Sequence, residues 1–250
     1  MDLFTFPPIA ALLDGAYTFL LWLAALLEPV AGSAAAAASV ILLTVLVRVA
    51  LVPVGVAQAK AEQMRSRLAP RLRELQRRHR RDPERLQSET MKLYADENAS
   101  PLAGCLPMLA QAPVVGIVYA LFLHTSIAGH ANTLLTEQLL GVPLGASLVG
   151  AIAGGTATAA TWGVFAGVLV LIVVVAELTR RAFRLPVDRS ADASSLAGAG
   201  VARLAGALQF TTAVVAVFVP LAAALYLAVT VAWTFAQRLL LRRRYPLAPT

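Results

Sequence analysis

A chain of 250 residues that is 58% hydrophobic and 14% charged, with a mean hydropathy of +0.72, has too little polar surface for a soluble globule. Lipid suits such a composition as solvent, so an all-α integral membrane protein is expected. The net charge of +7 raises nucleic acid as a partner, but its distribution marks topology instead, and no specific nucleic acid is expected. Cys105 is the sole cysteine, which excludes a disulfide framework, and it lies too far along to be an N-terminal lipid attachment site.

Residues 1–35 hold no Lys or Arg, so no cleaved signal peptide is expected. Their stretch "PPIAALLDGAYTFLLWLAALLEP" is apolar but interrupted by Pro7, Pro8 and Asp14, with Tyr17 and Trp22 suited to a membrane boundary. An external amphipathic helix lying on the surface fits better than a further span. Crossing a bilayer takes about 20 helical residues. The first such span is expected over 36–58.

Residues 58–100 are the one long polar stretch, and the segment between the first two spans is 59–104. Met64, Leu68, Leu72 and Leu75 recur at steps of four, four and three, which is one apolar helical stripe. Asp82-Pro83 then offers an N-cap and a proline at the first helical position. Leu86, Leu93 and Tyr94 make a shorter stripe on the second helix. Two antiparallel helices would cover each other's stripes, so a cytoplasmic helical hairpin is expected here.

A second span follows over 105–126. The 127–161 loop is rich in Gly, Ala and Thr, carries only Glu137 as a charge, and shows no motif. A third span is expected over 162–178, then a loop over 179–203. A fourth and a fifth, 204–219 and 220–240, abut at "VFVPLAAAL", where Pro220 divides what would otherwise be one overlong span. The tail is 241–250.

Orientation follows from the basic residues. Of the 21 Lys and Arg, all but Arg48 lie in the hairpin, in the loop after the third span or near the C-terminus. The N-terminal stretch and the 124–161 segment have none. With five spans the loops alternate in side, and the charge alternates in step. The N-terminus is expected outside and the C-terminus in the cytoplasm, in a multi-pass membrane protein.

Arg48 is the exception, since it lies in the middle of "VILLTVLVRVALVPV". A charge at mid-bilayer costs at least about 2.5–3.5 kcal/mol, and guanidinium does not deprotonate. Snorkelling is a poor remedy, because Gln58 is roughly 15 Å away along a helix. The middles of the other spans offer no carboxylate; Glu177 sits at the end of the third. A cavity holding water remains. Thr44 lies one turn before Arg48 on the same face. Gln111, between Pro107 and Pro113, belongs to the second span, and Gln209, Thr211 and Thr212 open the fourth. Tyr226, Thr230 and Trp233 share a face of the fifth at i, i+4, i+7. The blander role for the threonines is hydrogen bonding between helices. No nucleophile–base set, phosphate loop or dinucleotide motif appears, and His124, His130 and Glu137 are weakly spaced for a metal. No enzyme, metal or cofactor is expected.

"TVLVRVALVPV", then a charged hairpin, then "MKLYADENASPLAGCLPMLAQAPVVGIVYALF" resembles the YidC-type membrane protein insertase family. "VPLAAALYLAVTVAWTFAQRLLL" resembles that family's last span. The likeness implies five transmembrane helices around a hydrophilic groove, open to cytoplasm and lipid and closed outside. It maps the groove arginine onto Arg48, its threonine onto Thr44 and the aromatic of the last span onto Tyr226. It also maps the cytoplasmic hairpin onto 58–100 and the external surface helix onto roughly 8–27. It implies insertion and chaperoning of nascent membrane protein clients, alone or beside the Sec translocon, with no cofactor. The sequence departs from the family in two places. Asn98 and Pro101 are separated by two residues where the family has Asn-Pro, and Leu227 stands where many members have a second aromatic. Six residues follow Arg244, so a dedicated ribosome-binding tail is not expected and ribosome docking is in question.

The rival reading is a small transporter or channel for an anionic solute, with Arg48 as its binding charge. Transporters often carry two related halves with broken helices; an odd span count and the lack of a repeat weigh against it. The topology itself is testable. Cysteines introduced at 130–150 are expected to label from outside the cell and those at 75–90 only after lysis. External labelling of the latter would reverse the orientation.

Overall fold

A computed structural model describes residues 7–97, 116–117, 119–122, 124–127, 130–183 and 210–247. Most of the expected second span, the end of the loop at 179–203 and the start of the fourth span lie outside them. Among the described residues, three helical stretches are long and apolar enough to cross a membrane: Pro7–Ala50, Ala159–Ala182 and Leu221–Arg244. The chain divides into two compact units, Met1–Arg48 with Val115–Phe235, and Val49–Val114 with Ala236–Thr250.

The first unit opens with α1, Pro7–Ala31, which buries Leu13, Tyr17, Leu20 and Leu23. A 3-10 turn at Gly32–Ala34, with Gly32 at φ +52°, joins it to α2, Ala35–Ala50. The alanine run that starts α2 is buried, and Ala36, Val40, Thr44 and Arg48 make one buried stripe at a spacing of four. Val40 shares a core cluster with Leu20 of α1, Phe165 and Ile172 of a later helix, and Leu221, Leu225 and Tyr226 of the last one.

The segment after residue 124 departs from an all-helical reading by two small hairpins. β1 (Ser126–Ile127) pairs antiparallel with β2 (His130–Ala131), and β3 (Gln138–Leu139) with β4 (Val142–Pro143). A 3-10 turn, Thr133–Leu135, lies between them. The second hairpin turns through Leu140 and Gly141, at φ +52° and +82°. Both central residues of such a tight turn need positive φ, which is why Asn-Gly and Gly-Gly are favoured there. A leucine in that place is strained.

Helix α5, Leu148–Ala153, is capped by Ser147, whose Oγ accepts from Gly150 N at 3.0 Å. Helix α6, Ala159–Ala182, begins at a reciprocal cap. Thr158 Oγ1 accepts from Thr161 N, and Thr158 N donates to Thr161 Oγ1, both at 3.2 Å. The cap sets the helix start at Ala159, ahead of the apolar run that begins at Trp162. At the other end Glu177 accepts from Arg180 and Arg181 at 2.6–2.7 Å. Helix α7, Thr211–Phe218, ends where Val219 turns extended before Pro220, and the last helix, α8, runs Leu221–Arg244.

In the second unit α3 spans Val52–Arg78. The helix of the expected first span thus stops at Ala50, and the next runs without a break from Val52 past Gln58. Pro53 accounts for the interruption, since it has no N–H for the preceding turn and its ring crowds the carbonyl four residues back. Asp82 caps α4, Pro83–Asp96, accepting from Arg85 N at 3.0 Å, with Pro83 in the first position. Leu68 is buried, Leu72, Leu75 and Leu93 are partly covered, and Arg71 pairs with Glu97. Also in this unit, Glu62 meets Arg238 at 3.1 Å and Arg242 at 3.8 Å.

Leu140 is 75% exposed, so its side chain contributes little packing against the strain of its backbone. Leu140→Asn is expected to raise stability by up to about 1 kcal/mol, read as a higher unfolding midpoint in detergent. A lower midpoint would mean that the leucine makes contacts that matter.

Candidate functional site

Among the described residues of its helix, Arg48 is the only charge in α2, and it is only 8% exposed. Its backbone lies on the last turn of that helix, where a cation is favoured by the carbonyl end of the helix dipole. The side chain is not without a partner. Thr44, one turn earlier, is buried as well, and its Oγ1 donates to Val40 O at 2.7 Å. Its proton is therefore spent on its own helix, which leaves the oxygen lone pairs for any visiting donor.

On α8, Tyr226 is buried at the end of a run, Leu221–Tyr226, in which every residue is buried. Thr230 follows one turn later. Its carbonyl accepts from Thr234 Oγ1 at 2.8 Å, while its own Oγ1 is buried with no hydrogen-bond partner. Trp233 is half-buried and makes a contact of its own. Thr211 is exposed at the first position of α7. Gln111 and Gln209 lie outside the described residues. Val40, on the stripe that bears Thr44 and Arg48, and Tyr226 belong to one core cluster, so the stripe of α2 and the start of α8 serve the same interior.

Two polar residues went unmarked in the sequence, and a third was given a different place. Ser39 is fully buried and satisfied by Ala36 O at 2.8 Å. Asn132 is 4% exposed, and its Nδ2 donates to Leu121 O at 2.6 Å and His124 O at 3.0 Å. Tyr17, read as a boundary aromatic, is instead buried. Its hydroxyl donates to Ala131 O at 3.3 Å, accepts from Thr133 N at 3.0 Å and meets Thr133 Oγ1 at 3.0 Å. The signal for Tyr17 was its place four residues after Leu13 and three before Leu20; for Asn132 no sequence signal existed.

The 60Kd inner membrane protein family matches residues 27–248. The chain belongs to that family. Among its relatives, a protein of Clostridium perfringens named membrane protein insertase YidC is 38% identical over 84 residues, 34% of this chain and 35% of that protein. A protein of the same name from Streptomyces avermitilis is 34% identical over 113 residues, 45% of this chain and 26% of that one. The chloroplastic inner membrane ALBINO3-like protein 2 of Chlamydomonas reinhardtii is 40% identical over 105 residues, 42% and 24%. The matched stretches thus span about a third or less of the length of these relatives.

Thr230 gives the site a direct test. A buried hydroxyl without a partner costs on the order of 1–3 kcal/mol. Thr230→Val, nearly the same shape, is expected to hold or raise the unfolding midpoint. A marked fall would show that the hydroxyl is satisfied in the folded protein.

Proposed function

We propose that this protein is a membrane protein insertase and chaperone, in which Arg48 is the charge that receives the polar part of a client. Five transmembrane helices would surround a hydrophilic groove lined by Arg48, Thr44, Gln111, Gln209, Thr211, Tyr226, Thr230 and Trp233, open to the cytoplasm. Residues 59–104 would form a cytoplasmic hairpin. The N-terminus would lie outside and the C-terminus inside. The clients would be nascent membrane proteins, taken up alone or from the Sec translocon or the ribosome, and no catalytic chemistry or cofactor would be required. The observation that carries this reading is a buried arginine on an otherwise uncharged helix, inside the stretch matched by the family.

Helix α1 fits the external position. Beside its buried stripe it exposes Leu12, Phe19 and Leu26 on one flank and Asp14 and Thr18 on another, with Trp22 between and stacked on Phe19. A helix with one face for protein, one for lipid and one for water suits the plane of the interface.

The charge of Arg48 would act by moderate attraction. Two unit charges 4 Å apart gain about 1 kcal/mol in water and about 4 kcal/mol at an effective dielectric near 20. Attraction of that size biases an encounter with an acidic client segment without trapping it, and the groove shortens the apolar path that the segment must cross. Arg48→Lys is expected to retain much of the insertion of a client with an acidic tail, and Arg48→Ala to lose most of it. Neutralising the client's acidic residues should make it indifferent to the Ala change. Insertion of both client forms in all three backgrounds decides the matter. Equal damage to both forms by Arg48→Ala would sink the attraction mechanism and leave Arg48 a structural or hydrating role.

A further inference from the structure

The start of α8 is held from outside its own helix, and the holding bonds lead back to one hydroxyl. A helix leaves its first N–H groups without intrahelical partners. In α8 these follow Pro220 and open a buried run. Leu221 N donates to Ala146 O at 2.8 Å and Ala222 N to Leu144 O at 3.0 Å. Both acceptors lie just beyond the β3–β4 hairpin. Leu144 N in turn donates to Glu137 O at 2.8 Å and Gly145 N to Leu135 O at 2.9 Å. The approach at Gly145 is close: a Cβ there would meet Leu135 Cβ and O at 2.9 Å, so this crossing admits only glycine without a shift.

Leu135 closes the 3-10 turn that Thr133 begins, and Thr133 is where Tyr17 of α1 makes its bonds. Tyr17 is 8% exposed and its hydroxyl has one proton, which goes to Ala131 O or to Thr133 Oγ1, while the oxygen accepts from Thr133 N. Phenylalanine would fill the same space and make none of these bonds.

We propose that Tyr17 is a positioning residue for α8: it latches α1 to Thr133 and, through residues 133–146, sets where α8 begins. The functional part of this rests on the insertase reading. A helix rises 1.5 Å and turns 100° per residue, so a slip of one residue at Leu221 would turn Tyr226 and Thr230 together away from the direction in which their shared face now points. The carbonyls of Leu144 and Ala146 oppose that slip, because it would leave buried N–H groups without acceptors.

The test uses the full chain in lipid nanodiscs, comparing Tyr17→Phe, Thr133→Val, Thr133→Ser and the Tyr17→Phe/Thr133→Val double variant. Hydrogen exchange at the Leu221 and Ala222 amides is the first readout. Exchange on the order of tenfold faster is expected in Tyr17→Phe, and a smaller rise in Thr133→Val, which keeps the bond from Thr133 N to Tyr17, with α6 unaffected. Thr133→Ser keeps the hydroxyl and is expected to exchange like the parent. The double variant should be no faster than the quicker single one, because both remove the same bond. Insertion of an acidic-tailed client is expected to fall severalfold in the same variants at equal protein level. Unchanged amide exchange in Tyr17→Phe would overturn the latch, as would a rise spread equally over α6, which would mean general loosening. Failure of the parent protein to insert any client would strike the insertase reading alone, with exchange still deciding the latch.

Discussion

Nothing polar is left unsatisfied cheaply in hydrocarbon, and that constraint governs most of this structure. Backbone groups meet it by folding into helices. Side chains meet it in different ways along one helix. Ser39 and Thr44 return their protons to carbonyls of their own helix, and Arg48, which cannot do so, is buried with a partner beside the carbonyl end of α2. Helix ends are the weak places in such a scheme, and here they are capped: α6 by its own Thr158 and Thr161, α8 by the carbonyls of Leu144 and Ala146 from another part of the chain. The connector that supplies those carbonyls is therefore part of the support of the last helix.

What could be read from the sequence was whatever depends on local chemistry. Asp82-Pro83 marks the start of α4 because an aspartate cap and a proline without an N–H both suit a first helical turn. Pro220 marks the break before α8 for a related reason. Helix α6 starts three residues ahead of the expected span, at a point the sequence did not mark because its cap is a threonine pair, in which Thr161 stands where glutamate or glutamine gives the usual signal. The break at Leu51 was missed although Pro53 was in view, because the apolar run continues across it and hydropathy does not register a lost hydrogen bond.

The site was legible in part for the same reason. A lone arginine among apolar residues is conspicuous, and a threonine one turn away needs only helical spacing to be paired with it. The contributions of Tyr17, Leu144 and Ala146 depend on contacts between segments more than a hundred, or some tens of, residues apart, and that of Asn132 on a loop folding back 8 to 11 residues, none of which a periodicity encodes. The connector looked featureless because its function is carried by backbone carbonyls, and these are the same in every residue.

Burial of Arg48 sharpens the proposed mechanism. A fully hydrated guanidinium would attract an acidic segment by little more than thermal energy, and one sealed in a dry interior would hold it tightly and be costly to keep. An exposure of 8% lies near the second limit, and an existing contact offsets part of that cost. In the proposed mechanism an arriving carboxylate would have to compete with that contact, so only the difference between the two would reach the client. The smaller that difference, the weaker the net affinity, which suits the release of each client that the mechanism calls for. Thr230 would fit the same proposed logic, because a buried hydroxyl with no partner among the described residues could gain a bond from a passing polar group and give it up again.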